Sequence, residues 1–519
     1  MKVTVMGLGL NGGGLESARY LALHGAECTI TDTNDEKNLR PSIEALEAIS
    51  LPHPPFRFCL GRHEMDDFVN ADMVIKNPGV RPDSPYLTAA RRIETDISLF
   101  LAASPARLSA VTGSKGKSGT ASAIHWALAQ ARKTRLFPGK AFLGGNIAVS
   151  PLSFLDELTN DDDVVLELSS WQLGDLKDCG QGDRGQGDCG RGDCGRGDRG
   201  RGDRSLLKPR VAVLTSIMAD HQDRYGGMEA YVNDKRLIYH GQDKTCATIA
   251  SADDDWGRSF LAETPGRPLS FSEQPFPGNK AVGDRDEPPA AWIDPASGAG
   301  MASLTGEIAE VVPPFPLVPG RHQKKNLLAA ALALLDLGLP APFIRESLGA
   351  FPGIEHRLEF FREIDGIRFY NDTAATIPEA AAAAVEALGI GTDTLLILVT
   401  GGTDKNLDFS PLVKAAVAAK GIILLAGTGS DRLIPLFREA GLSFQGPYNN
   451  IDEAAHTALA LALSSVEEKD RKNGNVTAAV VLSPGCASFG MFRNEFDRGK
   501  QWKEAVGRIN GGELRGTVF

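Results

Sequence analysis

Short runs of aliphatic and β-branched residues alternate with longer stretches of helical periodicity along most of the chain. The pattern predicts a strand at Lys2–Met6, a glycine loop at Gly7–Gly14, a helix at Leu15–His24 and a second strand at Cys28–Thr31. Recurring strand–loop–helix units are typical of α/β proteins with largely parallel sheets. We therefore expect an α/β fold.

The same pattern returns in two later series. The second has strands at Leu108–Thr112, Val164–Leu166 and Val211–Leu214, and a helix from about Lys117 to Ala131. The strands predicted for the third series are Arg368–Tyr370, Leu395–Val399, Ile422–Ala426 and Ala478–Leu482.

Proline and glycine mark breaks between these series at residues 103–106 and 351–354. We therefore predict three domains, residues 1–103, 104–353 and 354–519. A chain of 519 residues agrees with about three domains of roughly 150 residues each.

Two segments have unusual composition. Residues 178–204 repeat a Cys/Arg-Gly-Arg/Gln-Gly-Asp pentapeptide almost without apolar side chains, which predicts a disordered surface insertion. Cell adhesion through its RGD triplets and metal binding by its cysteines are weaker interpretations. Residues 263–302 are rich in Pro, Gly, Asp and Ala, and we expect them to decorate the second domain as loops and short strands.

Charge and cysteine content narrow the class of protein. The 66 acidic residues exceed the 55 basic ones, giving a net charge of −11, which disfavours a nucleic-acid partner. The seven cysteines form no CxxC pair, so a reducing compartment fits. No apolar run approaches the roughly 18 residues of a membrane span. We expect a cytoplasmic protein without membrane insertion or an evident obligatory protein partner.

The first glycine motif, Gly7-Leu8-Gly9-Leu10-Asn11-Gly12, stands between a predicted strand and helix, and Asp32 follows Gly12 by twenty positions. Such glycines let the backbone approach a pyrophosphate at a helix N-terminus. The motif predicts a nucleotide-diphosphate site. Taken alone it favours an NAD-dependent oxidoreductase, and a purely structural glycine turn is the alternative.

The second motif follows the strand at Leu108–Thr112 and resembles a phosphate-binding loop, although Val111 stands where the usual first glycine would be. Backbone N–H groups would hold the phosphates, Lys117 would neutralise them, and the Ser118 hydroxyl could bind Mg²⁺. The ATP-binding residues predicted here are Gly113, Ser114, Lys115, Gly116, Lys117, Ser118, Gly119 and Thr120.

Polar groups also follow two predicted strands of the second series. Glu167 comes after Val164–Leu166, and His221, flanked by Asp220 and Asp223, comes after Val211–Leu214. Open α/β sheets place their ligands at such carboxyl ends. Glu167 and His221 could therefore bind a cation, although Mg²⁺ prefers oxygen and a lone histidine is more often structural.

Seven motifs in one order carry a family resemblance. They are TGSKGKS, GGN at 144–146, ELSSWQL, DHQDRYG, the later Lys235, GRHQKKN at 320–326 and EHRLE at 355–359. In this order they resemble the Mur ligases over essentially the whole chain except the pentapeptide repeat and parts of 263–302. The resemblance implies a Rossmann-like N-terminal domain, a central P-loop-type ATPase domain and a Rossmann-like C-terminal domain.

The glycine-rich first domain and the DHxDRY motif resemble the family members that add D-glutamate. The implied reaction is ATP-dependent ligation of UDP-N-acetylmuramoyl-L-alanine to D-glutamate through an acyl phosphate, with ATP and two Mg²⁺ ions. The first glycine loop would then bind UDP and not NAD. The residues matching the UDP-precursor site are Gly9, Leu10, Asn11, Asp32, Thr33, Asn77, Gly79 and Asn146.

The resemblance assigns the remaining roles. Catalytic positions are Lys117, His221 and Lys235, and metal ligands are Ser118, Glu167, His221 and Lys235. Lys235 matches a lysine that becomes carbamylated, whereas its sequence context alone predicts a surface helix lysine. Asn326, Arg357 and Asp372 match ATP contacts, and Lys405 and Ser488 match binders of the amino acid's carboxylates.

Some positions depart from the family pattern. Ala374 stands where a lysine is common in relatives, so the contact of that lysine with the amino acid or phosphate is either missing or supplied by Thr373 or Thr376. Glu495 stands where a phenylalanine is common. The alternatives are another ligase of this superfamily (L-alanine-adding or folylpolyglutamate type), an NAD(P)-dependent oxidoreductase, or a non-catalytic nucleotide-binding or adhesion protein.

Overall fold

The computed structural model describes residues 1–9, 12–49, 56–147, 149–177, 179, 207–220, 222–274, 290–304, 306–389, 394–466 and 477–509. They form two compact units, Met1–Pro313 with Lys325–Leu348, and Pro314–Lys324 with Gly349–Phe519. Apart from Cys179, the predicted disordered insertion at 178–204 lies outside the described residues. The division into three domains and its two boundaries stay predictions.

The first sheet of unit one is entirely parallel, with strand order β3-β2-β1-β4-β5. Its strands are β1 (Lys2–Met6), β2 (Glu27–Asp32), β3 (Phe56–Leu60), β4 (Met73–Lys76) and β5 (Ile93–Glu94). The strand order reverses between β1 and β4, and ligands of open α/β sheets bind at the carboxyl ends of strands at such a reversal.

The second sheet of unit one has the order β14-β13-β12-β11-β10-β9-β6-β8-β7. Its strands are β6 (Arg107–Thr112), β7 (Ala141–Gly145), β8 (Asp163–Glu167), β9 (Val211–Leu214), β10 (Ala247–Ser251), β11 (Arg267–Ser272), β12 (Ala291–Ile293), β13 (Gly300–Ala302) and β14 (Ala309–Val312). Only β13 pairs antiparallel to its neighbours. The described parts of 263–302 therefore extend this sheet, beyond the decorating role that we expected.

The sheet of unit two has the order β15-β16-β20-β17-β18-β19. Its strands are β15 (Glu359–Ile364), β16 (Ile367–Asn371), β17 (Thr394–Gly401), β18 (Gly421–Leu425), β19 (Gln445–Tyr448) and β20 (Thr477–Leu482). All neighbours except β15 and β16 run parallel. The carboxyl ends of β16, β20 and β17 therefore lie side by side at one edge.

Helices connect the strands in both units. They are α1 (Gly13–Leu23), α2 (Glu36–Glu47), α3 (Met65–Val69), α4 (Pro85–Thr88), α5 (Asp96–Ala103), α6 (Lys117–Lys133), α7 (Ser170–Asp175), α8 (Gln222–Tyr225), α9 (Met228–His240), α10 (Asp255–Glu263), α11 (Arg321–Asp336), α12 (Ala341–Gly349), α13 (Pro378–Gly389), α14 (Ser410–Ala416), α15 (Thr428–Glu439), α16 (Ile451–Ser465) and α17 (Glu495–Arg508). No described helix is long and apolar enough to cross a membrane.

Most predicted elements are confirmed with shifted ends. Lys2–Met6 and Val211–Leu214 are strands as predicted, and the first helix begins earlier than expected, at Gly13. The central strands are buried along their length, as the full burial of β9 and β18 illustrates, because each belongs to a parallel sheet with both faces covered.

A buried ion pair joins the first sheet of unit one to the helix after β8. Lys76, the last residue of β4, donates from Nζ to Asp175 Oδ2 at 2.6 Å, and both side chains are buried. Burial shifts the pKa of both groups toward the neutral form, lowering that of Lys76 and raising that of Asp175, and their mutual attraction opposes both shifts. The pair therefore depends on both partners being present.

Removing one partner should be much worse than removing both. We expect Lys76→Met to lower the free energy of unfolding by about 3–5 kcal/mol because it leaves a buried carboxylate alone, and Lys76→Met/Asp175→Leu to recover most of that loss. Urea unfolding of the two variants measures this. Lys208→Met is the control, since its ion pair with Asp243 is exposed to solvent and should contribute little to stability. Equal losses in the single and double variants would contradict the expectation.

Candidate active site

A cavity of about 640 Å³ opens in unit one where the carboxyl ends of its two sheets meet. Its walls come from the glycine loop after β1, the loop after β4, the start of α5, the loops after β6, β7 and β8, and α9. The predicted site residues that line it are Gly9, Asn77, Gly79, Lys117, Asn146 and Lys235. The structure thus brings predicted nucleotide, phosphate and metal residues into one space.

Asp32 organises the first glycine loop. Its Oδ2 accepts from the backbone N–H groups of Leu8 at 2.9 Å and Gly9 at 3.2 Å, and its Oδ1 accepts from Asn34 N at 2.9 Å. Both carboxylate oxygens therefore have partners within the protein. Thr33 beside it is exposed, and Leu10 and Asn11 lie outside the described residues.

Asn77 joins the loop after β4 to the glycine loop. Its Nδ2 donates to Gly7 O at 3.3 Å, and its Oδ1 accepts from Gly79 N at 3.1 Å. The β1 and β4 loops therefore form one continuous wall of the cavity, at the reversal in strand order where a ligand is expected.

The loop between β6 and α6 needs glycine at two positions. Gly113 has φ 146° and Gly116 has φ 87°, a region in which other residues are strained. A Cβ atom at Gly113 would collide with Thr215 Oγ1, and one at Gly116 would collide with Asn326 Oδ1. Asn326, predicted to contact ATP, thus lies directly against the phosphate loop.

Hydrogen bonds from neighbouring segments fix the rest of this loop. Ser114 N donates to Ser216 O at 2.7 Å, and Thr215 Oγ1 donates to Lys115 O at 2.6 Å. Ser114 Oγ also lies 2.8 Å from the Tyr231 hydroxyl on α9. The loop therefore keeps its shape through side chains whose roles the sequence did not indicate.

Two lysines converge on one carbonyl oxygen of the loop. Lys117 Nζ and Lys235 Nζ each donate to Gly113 O at 2.9 Å. Lys235 has only 1% of its surface exposed, so the surface position suggested by its sequence context is wrong. Burial, with help from the charge of Lys117, lowers the pKa of Lys235 to about 7. A substantial fraction of Lys235 is therefore a neutral amine near neutral pH.

Glu167 ends β8 beside this loop. Its Oε1 accepts from Asn146 Nδ2 at 3.0 Å, whereas its buried Oε2 has no hydrogen-bond partner among the described residues. An unpartnered buried carboxylate oxygen is costly unless a cation or donor meets it. Since Mg²⁺ prefers oxygen ligands, the unpartnered Glu167 Oε2 fits a Mg²⁺ ligand, and Ser118 in the first turn of α6 offers a hydroxyl oxygen of the same kind.

One predicted site residue is not described by the structure, and several residues that line the cavity were not predicted. His221 lies outside the described residues, and its neighbour Asp220 lines the cavity. Asp96 at the start of α5 also lines it, and burial raises the pKa of this carboxyl group, which accepts from Ser150 Oγ at 2.9 Å. Gln172 is a third unpredicted lining residue, held by a capping box with Ser169. A capping-box pattern in ELSSWQL was the available signal for Gln172.

The remaining predicted residues lie in unit two. Asp372 follows β16, Lys405 lies in the exposed loop after β17, and Ser488 is buried in the loop after β20. Asp372 accepts from Leu358 N at 3.0 Å and Ser483 Oγ at 2.6 Å, and burial raises its pKa to about 7. These three residues thus share the carboxyl edge of neighbouring strands. Arg357 is exposed in the turn before β15.

Thr373 cannot supply the contact of the lysine that Ala374 replaces. It is fully buried, its hydroxyl donates to Glu495 O at 2.8 Å, and it accepts from Arg498 Nε at 3.0 Å. The hydroxyl is therefore occupied within the protein. Sequence reasoning did not single out Arg498, which is 1% exposed.

Comparison with known proteins agrees with this geometry. Family models match the chain as "Mur ligase MurD-like, N-terminal domain" at residues 1–98 and "Mur ligase middle domain" at residues 195–334. Proteins named UDP-N-acetylmuramoylalanine--D-glutamate ligase are similar to it. The one from Treponema pallidum (strain Nichols) is 39% identical over 97% of each chain, and the one from Roseiflexus sp. (strain RS-1) is 35% identical over 97% of this chain and 98% of its own.

A solved structure shows the same fold. The UDP-N-acetylmuramate-alanine ligase of Thermotoga maritima superposes with a TM-score of 0.50 at 16% identity, covering 97% of this chain and 98% of its own. This chain belongs to the Mur ligase family.

The phosphate loop should not accept a side chain at Gly116. We expect Gly116→Ala to weaken ATP binding at least roughly 10-fold, because the new methyl group strains the backbone and displaces Asn326. Isothermal titration calorimetry measures this. Gly338→Ala is the control, since Gly338 has a similar φ of 94° but open space around it. If both variants bound ATP equally well, the close approach of Asn326 would not matter for ATP.

Proposed function

We propose that this chain is an ATP-dependent, ADP-forming ligase that joins UDP-N-acetylmuramoyl-L-alanine to D-glutamate in peptidoglycan precursor synthesis. One observation carries the proposal: the cavity of unit one joins a nucleotide-type glycine loop to a phosphate loop, and Lys117 and Lys235 both donate to the same carbonyl oxygen of that phosphate loop. A substrate with a nucleotide at one end and a carboxylate at the other could span it. The names of the similar proteins from Treponema and Roseiflexus support this choice.

The reaction has two steps. The terminal alanine carboxylate of the precursor attacks the γ-phosphorus of ATP, forming an acyl phosphate and releasing ADP. The amine of D-glutamate then attacks the acyl carbon, loses a proton and expels inorganic phosphate. Phosphorylation is needed because a free carboxylate is a poor electrophile and its oxygen a poor leaving group.

The chain must bring two anions together in the first step. Lys117 and the N-terminus of α6 offset the repulsion between carboxylate and triphosphate, since both place positive charge at the phosphate loop. Ser118, Glu167, His221 and Lys235 would hold two Mg²⁺ ions, which when bound neutralise phosphate charge.

The other assigned residues complete the proposal. Gly9, Leu10, Asn11, Asp32, Thr33, Asn77, Gly79 and Asn146 bind the UDP precursor. Asn326, Arg357 and Asp372 bind ATP, and Lys405 and Ser488 bind the carboxylates of D-glutamate. An NAD(P)-dependent oxidoreductase explains less, because it leaves the phosphate loop without a purpose.

Phosphate release tests the reaction and its substrate. With ATP and UDP-N-acetylmuramoyl-L-alanine present, we expect release with D-glutamate and not with L-glutamate, L-alanine or glycine. Lys117→Ala should abolish release while retaining affinity for the UDP precursor, because Lys117 acts on the phosphates. Release with a different amino acid would redirect the substrate, and no release with any amino acid would reject the ligase.

The lowered pKa of Lys235 supports its proposed carbamylation, because carbon dioxide reacts only with the neutral amine. Protonation increases as the pH falls through about 7, so carbamate and activity should both decline on the acid side. ¹³C NMR after incubation with labelled bicarbonate should show a carbamate carbon in the wild type and none in Lys235→Arg.

Activity of the variants gives a second test of Lys235. Lys235→Ala and Lys235→Arg should be inactive with or without bicarbonate, whereas short-chain carboxylic acids should restore part of the activity of the alanine variant only. The carboxylate of the added acid would take the place of the Lys235 carbamate, which the alanine variant lacks, beside Glu167. Full activity in both variants would remove the carbamate from the mechanism.

A further inference from the structure

Arg498 is a buried cation beneath the edge of unit two that carries Asp372, Lys405 and Ser488. It lies in the first turn of α17 and is 1% exposed. Its Nε donates to Thr373 Oγ1 at 3.0 Å, and its two terminal nitrogens donate to Thr373 O at 3.0 Å and Cys486 O at 3.2 Å. All three acceptors are neutral oxygens.

A buried guanidinium with neutral partners is an expensive feature. Removing the charge from water is unfavourable, and hydrogen bonds to neutral oxygens offset less of that penalty than an ion pair with a carboxylate would. Burial accordingly lowers the pKa of Arg498 to about 10, which still leaves it charged at neutral pH. The positive charge therefore remains in the interior beneath this edge.

The bonds of Arg498 reach two loops of the edge and its side chain lies against a third. Thr373 immediately follows Asp372 after β16, and Cys486 lies two residues before Ser488 after β20. A Cβ atom at Gly402, in the loop of Lys405, would lie 3.6 Å from an Arg498 terminal nitrogen. The loops carrying all three predicted ligand residues of this edge thus surround one guanidinium.

Further hydrogen bonds connect these loops to one another and to α17. Thr403 and Ala487 exchange two backbone hydrogen bonds of 3.0 Å, which join the loops after β17 and β20. Trp502, four residues after Arg498 on the same face of α17, donates from Nε1 to Tyr370 O at 3.2 Å. This second anchor fixes α17 on β16, so Arg498 has little freedom to move.

We propose that Arg498 is a positioning residue for the incoming amino acid: it sets the placement of the Lys405 and Ser488 loops relative to the loop of the ATP-binding Asp372, and it adds positive charge beneath the carboxylate-binding edge. This inference rests on the proposed function. Arg498 acts through the loops and touches no substrate itself.

Steady-state kinetics of Arg498→Lys and Arg498→Gln tests the role. We expect the KM for D-glutamate to rise roughly 10- to 100-fold, while the KM for UDP-N-acetylmuramoyl-L-alanine stays within about 3-fold, because only the loops of unit two are disturbed. Lysine keeps the charge but not the three-way geometry, so Arg498→Lys should show the smaller rise.

Arg362→Gln is the matched control. Arg362 donates to the backbone carbonyls of Val506 and Ile509 near the other end of α17, away from the three loops. This variant should leave both KM values unchanged. If it raised the KM for D-glutamate as much as Arg498→Gln does, general loosening of α17 would explain the effect and the proposal would fail.

A pair of substitutions at Thr373 tests the same role if an Arg498 variant does not fold. Thr373→Val removes the hydroxyl that accepts from Arg498 and should raise the KM for D-glutamate, whereas Thr373→Ser keeps that oxygen and should not. Unchanged D-glutamate KM values in the Arg498 and Thr373→Val variants, with an active wild type, would overturn the positioning role alone. A wild type that releases no phosphate with any amino acid would instead overturn the proposed function.

Discussion

The first unit depends on a concentration of positive charge at one backbone oxygen. Gly113 O accepts from both Lys117 and Lys235, although like charges repel and one of the two amines is fully buried. The protein reduces this repulsion by lowering the pKa of Lys235, so that a fraction of the Lys235 side chains is uncharged near neutral pH. The loop that carries this oxygen is held in place by the backbone conformations of Gly113 and Gly116 and by hydrogen bonds with Thr215 and Tyr231.

The sequence was sufficient for the parts of the fold that have local causes. Strand–glycine–helix units recur, and hydrophobic patterning located β1 and β9 to the residue because buried parallel strands are continuous apolar runs. It could not show that β11, β12 and β13 extend the central sheet, because these strands do not form long continuous apolar runs. Strand pairing is a long-range property that no local window contains.

The candidate site divides in the same way. The phosphate loop was visible because its glycines and lysine lie next to each other in sequence. The burial of Lys235 could not be seen in the sequence, because it arises from Tyr231 on its own helix and from a loop more than a hundred residues earlier. The role of Arg498 could not be predicted for a related reason. It depends on hydrogen bonds to Thr373 and Cys486, and the residues around Arg498 in the sequence do not indicate either partner.

The two units are interleaved along the chain, since residues 314–324 belong to the second unit and residues 325–348 return to the first. The second unit uses that short segment structurally: Tyr370 donates from its hydroxyl to Leu317 O at 3.1 Å, and Leu317 N donates to Gly349 O at 3.1 Å. A C-terminal fragment cut at 349 would therefore lack part of its own packing. During synthesis, the first unit likewise cannot finish folding until residues 325–348 have been made. These residues include Asn326, which lies beside the phosphate loop.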